Sequence, residues 1–265
     1  MAEPCTACGG ICYDENNVCV RCGFFLNGLA PGIVLNNRYE IISPIRAGGM
    51  GAIYRAFDRV AKQNCAVKEM FYREDLSEDL SSYMFKRFME EAKLLSLLNH
   101  PSIPGIIDYF SLNKNYYYLV MDYIEGRDLY THILDNEGEG FPEKIVLNWA
   151  IQICDVLHYL HNRPMPILHR DLNPANLILR EKDNRIILVD FGLARAINPD
   201  TAGQKTSVGS MAYTSIEQCQ GHPEPRSDIY SLGATMHFLL TAQGNESFDV
   251  PPVREIRPDV SPWME

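Results

Sequence analysis

Across ILHRDLNPANLIL (167–179) and IILVDFGLA (186–194), Asp171, Asn176 and Asp190 form a polar triplet between short β-type runs. One aspartate near an asparagine is ordinary loop chemistry. Two strands that each deliver oxygen ligands at their ends instead suit a hard cation, because Mg2+ favours a few protein oxygens together with phosphate and water. A fold that uses all three side chains must bring these strand ends to one place.

The chain is large enough to bury such a site. It has 265 residues, 46% hydrophobic and 22% charged, which describes one large or two modest globular domains. A net charge of -10, from 34 acidic and 24 basic residues, opposes broad binding to nucleic acid or anionic membranes, although local basic patches remain open. No apolar run reaches the roughly 18 residues of a membrane span, and MAEPCTACGG lacks the charged and apolar parts of a secretory signal. The expected location is cytoplasmic, with no membrane segment in this chain.

Five of the eight cysteines lie in the first 22 residues. CTACGGICYDENNVCVRCG holds two Cys-x-x-Cys pairs, Cys5/Cys8 and Cys19/Cys22, with Gly9 and Gly23 directly after them. Two cysteines three positions apart on a tight turn can aim both sulfurs at one ion, and two such turns complete a tetrahedral shell. Structural Zn2+ is expected, with Cys12 spare; two disulfides are the alternative, disfavoured in a reducing compartment. Residues 1–26 hold too few apolar groups for a core, so metal would supply most of their folding free energy. The segment resembles a zinc ribbon. With Arg21 as its only basic residue, it is expected to dock a protein partner rather than nucleic acid.

NGLAPGIVLNN (27–37) reads as a linker. RYEIISPIRA and AIYRAFD then flank Gly48, Gly49 and Gly51, which suggests a hairpin whose turn lies close to something bulky. In the next β-type run, CAVKEM, Lys68 sits among apolar residues and requires an anionic partner. FKRFMEEAKLLSLLNHP places Phe85, Phe88, Ala92, Leu95 and Leu98 at helical spacing, with Glu91 beside the stripe. Taken alone, Glu91 is a solvated carboxylate on an amphipathic helix. HPSIPGIIDYF and NYYYLVMDYIEG read as strands, giving an antiparallel sheet of about five strands with one helix. KIVLNWAIQICDVLHYLHN is a core helix by its period, with Ile145, Trp149, Ile153, Val156, Leu157 and Leu160 facing inward.

On these motifs, in this order, the chain from Arg38 onward resembles the protein kinase family, particularly bacterial Ser/Thr kinases of eukaryotic type. The resemblance implies an α+β, two-lobe protein kinase fold: a small antiparallel β lobe with one helix (about 38–121), a hinge (122–126) and a larger helical lobe (127–265). AGGMGAIY looks like the glycine-rich loop over ATP, and Lys68 like the lysine on the α and β phosphates, directed by Glu91. Asn176 and Asp190 would hold Mg2+ (or Mn2+), and Asp171 would orient and deprotonate the incoming hydroxyl. Met121 falls at the gatekeeper position, and Asp122 to Ile124 would hydrogen-bond adenine through backbone groups. Ala47, Ile53, Ala66 and Ile178 are implied as further ATP-contacting positions. Asp228 matches the aspartate that braces the catalytic loop. Thr201, Thr206, Ser207 and Ser210 lie in the implied activation segment, where Arg170 would receive a phosphate; Ser210 would sit near the substrate hydroxyl.

Four departures matter. Asn173 stands where the family's Ser/Thr enzymes have a lysine on the transferring phosphoryl group, and losing that charge costs about 3 kcal/mol, or roughly a hundredfold in rate. Ala175 excludes the arginine that tyrosine kinases use instead. Arg46 replaces the first loop glycine, and solvent exposure is its expected place. Ile216 replaces the proline of Ala-Pro-Glu while Glu217 stays. The fourth departure is the end of the chain at Glu265, where related kinases continue through helices that include Glu217's arginine partner; a C-terminally incomplete helical lobe is therefore expected. The chain is expected to bind ATP and a protein substrate with Ser or Thr. A nucleotide-binding scaffold with little turnover and a ribbon-based nucleic-acid binder are the competing readings.

Overall fold

The computed structural model describes residues 28–48, 51–71, 85–86, 88–89, 92–93, 95–112, 116–191, 212–244 and 250–264. These residues fall into two compact units: one runs through Leu98 and takes in Gly105–Tyr123, and the other comprises Asn99–Pro104 and Ile124–Glu265.

The first unit is built on a six-stranded antiparallel sheet in the order β1-β2-β3-β4-β6-β5. Its strands are β1 (Val34–Leu35), β2 (Tyr39–Gly48), β3 (Gly51–Asp58), β4 (Gln63–Phe71), β5 (Ile106–Leu112) and β6 (Tyr116–Asp122). β2 is irregular on either side of Pro44, which suits a residue with no N–H for the ladder. Alternation along β3 is complete: Ala52, Tyr54, Ala56 and Asp58 are buried, and the residues between them are only partly so. With Ile41, Cys65, Val67, Tyr118 and Val120, the apolar members form a core on one sheet face, and Leu29, Leu35 and Tyr39 join it.

Part of the stretch expected as a linker is thus a strand. Val34 pairs with Glu40 and Leu35 with Tyr39, the Gly32 N–H donates to the Ile41 carbonyl at 2.8 Å, and Leu35 is buried. The described residues among 85–96 are helical, and Phe88, Ala92 and Leu95 are buried as their spacing predicts.

The second unit contains a three-stranded sheet of β7 (Gly126–Asp128), β8 (Leu177–Arg180) and β9 (Arg185–Leu188), in that order. Its helices are α1 (Leu129–Asp135), α2 (Glu143–His161), α3 (Ile216–Cys219), α4 (Pro225–Thr241) and α5 (Val253–Ile256). Asp128 caps α1, and Glu224 with Ser227 forms a reciprocal capping box at α4. The buried stripe of α2 is Val146, Trp149, Ala150, Ile153, Val156, Leu157 and Leu160. Ile145, expected inside, is 40% exposed, so the first turn is shifted by one residue. Only the later part of HPSIPGIIDYF is a strand. Asn99–Pro104 belongs to the second unit, where the Asn99 N–H donates to the Tyr159 hydroxyl at 2.9 Å and the Leu188 N–H to the Ser102 carbonyl at 2.9 Å. No helix among the described residues is long and apolar enough to cross a membrane.

Candidate active site

In the first unit, strand register decides which predicted nucleotide contacts share a face. Lys68 lies opposite Ile53 on β3 and Leu119 on β6, and Ala66 lies opposite Arg55 and Met121. Directly opposed residues of an antiparallel sheet point to the same side, so Ile53, Ala66, Lys68 and Met121 occupy one face. Their sequence neighbours occupy the other, where the core lies. Lys68 is half-buried. Asp122 ends β6 with its own N–H donated to the Gly105 carbonyl at 2.9 Å and its carboxylate accepting the Gly105 N–H at 2.9 Å. Ile124 begins the second unit.

Glycine is required at Gly51 for a local reason. Its φ is +152°, and a Cβ there would lie 2.0 Å from the Glu69 carbonyl oxygen. The bulky neighbour is thus the adjacent strand. Gly48 pairs with Gly51 across the hairpin, following Ala47 on β2, and Arg46 is exposed. Gly49 and Glu91 lie outside the described residues, as do Thr201, Thr206, Ser207, Ser210, Cys5, Cys8, Cys19 and Cys22.

On the core face, directly after Lys68, Glu69 is a buried carboxylate. It accepts the hydroxyls of Tyr54 at 3.0 Å and Tyr118 at 2.8 Å, while the Leu29 N–H donates to the Tyr54 oxygen at 3.1 Å. Burial pushes the carboxyl above its usual value, more than the two phenolic hydrogen bonds lower it.

The second unit assembles the loop 169–176. Asp228, on α4, is buried, and its carboxylate accepts the backbone N–H groups of His169 at 3.0 Å and Arg170 at 2.9 Å, and the His161 Nε2–H at 2.8 Å. Burial raises its pKa, but these hydrogen bonds prevail and hold it below the usual carboxylate value. His169 Nε2–H donates to the Val189 carbonyl at 2.9 Å, and its ring meets Phe191 edge-on. Gln218 Nε2–H donates to the Arg170 carbonyl at 2.7 Å. The roles of His161 and Gln218 are not marked in the sequence, since they depend on helices meeting the loop from distant positions.

Asp171 and Asn176 are brought together. The Asn176 side-chain amide donates to the Asp171 carbonyl at 2.7 Å and to its carboxylate at 3.1 Å. The Val189 N–H donates to the Asn176 carbonyl at 3.0 Å, which ties the residue before Asp190 to the same loop. Asp190 has φ +64°. Ile178 follows on β8 and is half-buried. The donor types fit a hard cation held by few protein oxygens: Asn176 offers an amide oxygen and Asp190 a carboxylate. Among the described residues, no group of three or more His, Cys, Asp or Glu could hold a metal.

Asn173 is only 8% exposed. Its Nδ2–H donates to the Asp171 carbonyl at 2.9 Å, and its Oδ1 accepts the Ala175 N–H at 3.0 Å, capping the 3-10 turn Pro174–Asn176. In the SIE segment, Ser215 caps α3 and Ile216 is exposed. Glu217 accepts the Ser227 hydroxyl at 2.7 Å, a hydrogen bond that lowers its pKa.

Known proteins resemble this chain over most of its length. Serine/threonine-protein kinase C of Synechocystis sp. is 36% identical over 225 residues, covering 81% of this chain and 41% of that protein. Serine/threonine-protein kinase PrkC of Bacillus subtilis is 36% identical over 211 residues, 79% of this chain and 31% of its own length. The chain spans about two fifths, or less, of the curated relatives it matches. The crystal structure of the Mycobacterium tuberculosis PknI kinase domain superposes with a TM-score of 0.68 at 27% identity, covering 88% of this chain and 87% of that one. The protein kinase domain description matches residues 39–249, and the chain belongs to that family.

Proposed function

We propose that the chain is an ATP-dependent Ser/Thr protein kinase that transfers the γ-phosphoryl group to protein hydroxyls. Its chief support is the loop in which Asn176 holds Asp171 by main chain and side chain while Asp228 braces the loop from behind. In this proposal Asp171 orients the substrate hydroxyl and takes its proton. Asn176 and Asp190 hold Mg2+, which when bound offsets phosphate charge. In the first unit, Lys68 carries charge for the α and β phosphates, directed by Glu91, while Ile53, Ala66 and Met121 line the adenine side. Because the Asp122 N–H is spent on Gly105, adenine recognition at that residue falls to its carbonyl. Asn173 brings no positive charge, so turnover is lowered rather than abolished.

The test is Mg-ATP with a generic basic protein substrate. Transfer that disappears in Asp171→Ala supports the proposal; ATP binding without transfer above that control would mark a nucleotide-binding scaffold instead. The four cysteines Cys5, Cys8, Cys19 and Cys22 are proposed to hold one structural Zn2+ and to form a protein-docking module in a cytoplasmic enzyme. One zinc per chain, lost in Cys5→Ser and Cys22→Ser, is the expected measurement; metal-free protein with intact disulfides would overturn it.

A further inference from the structure

We propose, on the basis of the phosphotransfer reading above, that Asn173 is a positioning residue whose carboxamide sets the backbone geometry of Asp171. The position has two hydrogen-bonding demands of opposite kind. A donor is needed toward the Asp171 carbonyl, met by Nδ2 at 2.9 Å, and an acceptor is needed for the Ala175 N–H, met by Oδ1 at 3.0 Å. A carboxamide supplies both at once, whereas a lysine has three donors and no acceptor. The same turn continues with the Asn176 N–H on the Asn173 carbonyl at 3.0 Å, and Asn176 then reaches back to Asp171 through its side chain. Two side-chain amides therefore converge on one carbonyl, and Asn173 shapes the turn that delivers the second. The missing lysine charge is accompanied by the two side-chain hydrogen bonds of Asn173. Restoring the lysine would give up the cap that replaces it.

Two substitutions separate this role from a simple lack of charge. Asn173→Lys restores the charge and removes the acceptor; Asn173→Asp keeps the acceptor for Ala175 and removes the donor to Asp171. Both are expected to lower kcat by about tenfold or more, with KM for ATP within about twofold of wild type, since a displaced base costs turnover rather than binding. Amide hydrogen exchange at Ala175 is expected to be protected in wild type and Asn173→Asp, and to lose that protection in Asn173→Lys. A rise in kcat for Asn173→Lys, or wild-type kcat for Asn173→Asp, would overturn the proposal. If Asn173→Lys does not fold, Asn173→Asp decides alone. If wild type shows no transfer above Asp171→Ala, the phosphotransfer reading fails, and exchange at Ala175 still decides: retained protection in Asn173→Lys, or lost protection in Asn173→Asp, refutes the positioning role.

Discussion

The Asp228 carboxylate accepts the Arg170 N–H at 2.9 Å, and Arg170 has φ +65°. A left-handed conformation costs a residue with a side chain about 1–2 kcal/mol, so it persists only where partners fix it. Asp228 fixes the N–H side and Gln218 the carbonyl side. The residue before the proposed base is thus clamped by two helices, α3 and α4.

Asp228→Ala removes the acceptor of the His169 and Arg170 N–H groups at a position that is itself buried. A loss of about 3–5 kcal/mol is expected, as for a buried charge network broken on one side. Asp228→Asn, which keeps one oxygen, is expected to cost about 2 kcal/mol and to lower kcat more than it changes KM. Urea unfolding and steady-state kinetics measure both; wild-type stability and turnover in Asp228→Asn would contradict the clamp.

A second carboxylate makes a pH-dependent contribution to the first unit. Asp58 is fully buried and takes a bidentate pair of hydrogen bonds from Arg38, at 2.9 and 2.7 Å, with the Val60 and Ala61 N–H groups adding to them. The Arg38 hydrogen bonds lower its pKa from 3.8 to about 2, against the opposing effect of burial. A depressed folded-state pKa gives stability that is present above pH 3.8 and lost as pH falls toward about 2. Asp58→Asn should cost about 2 kcal/mol at pH 7, and its deficit relative to wild type should close between pH 4 and 2. A deficit that persists unchanged through that range would assign the loss to packing instead.

Much of this arrangement is legible in the sequence because it depends on short spacings. Asn176 directly precedes β8 and Asp190 lies two residues past β9, whereas Asp171 sits in the loop before the 3-10 turn; the buried face of α2 follows from its period to within one residue, Val146 for Ile145. The rest depends on partners distant in sequence. Val34–Leu35 is too short to show alternation and lies among glycine, proline and asparagine, so it becomes a strand only because Tyr39 and Glu40 offer an edge. Asn173 compared with lysine suggests only a lost charge; its cap is visible once the loop has closed. Nothing at Asn99–Pro104 marks it as part of a different unit from the strand that follows, since its hydrogen bonds go to Tyr159 and Leu188.

Gly51 offers a test of strand packing near the proposed nucleotide site. Adding one methyl group would bring it within 2.0 Å of the Glu69 carbonyl, a backbone atom that cannot swing aside, at a φ of +152°. Gly51→Ala should therefore push β3 away from β4 and destabilise by about 2–4 kcal/mol. Since Glu69 adjoins Lys68, weaker ATP binding is expected too. Thermal unfolding and ATP titration check this, and a neutral result in both would show that the hairpin adjusts freely. A Gly48→Ala control reports on the hairpin's other strand.

Glu69 reverses the pH logic of Asp58. Burial raises its folded-state pKa above the ordinary 4.5, so its contribution is fully present below pH 4.5 and declines as pH rises through the folded value. Among the described residues, Tyr54 and Tyr118 hydrogen-bond to it, and burial raises their own pKa values, so both remain hydroxyl donors as the carboxyl ionises. Glu69→Gln retains an acceptor but cannot ionise. Wild-type stability relative to Glu69→Gln should therefore fall as pH rises from 4.5, and the variant's own profile should be flatter over that range. Glu69→Ala, which leaves two buried phenolic O–H donors without their acceptor and a cavity beside them, should cost about 2–5 kcal/mol at every pH. Stability profiles by urea unfolding between pH 4 and 8 distinguish the cases. If wild type instead gains on Glu69→Gln as pH rises, ionised Glu69 is stabilised by the tyrosines more strongly than burial opposes it.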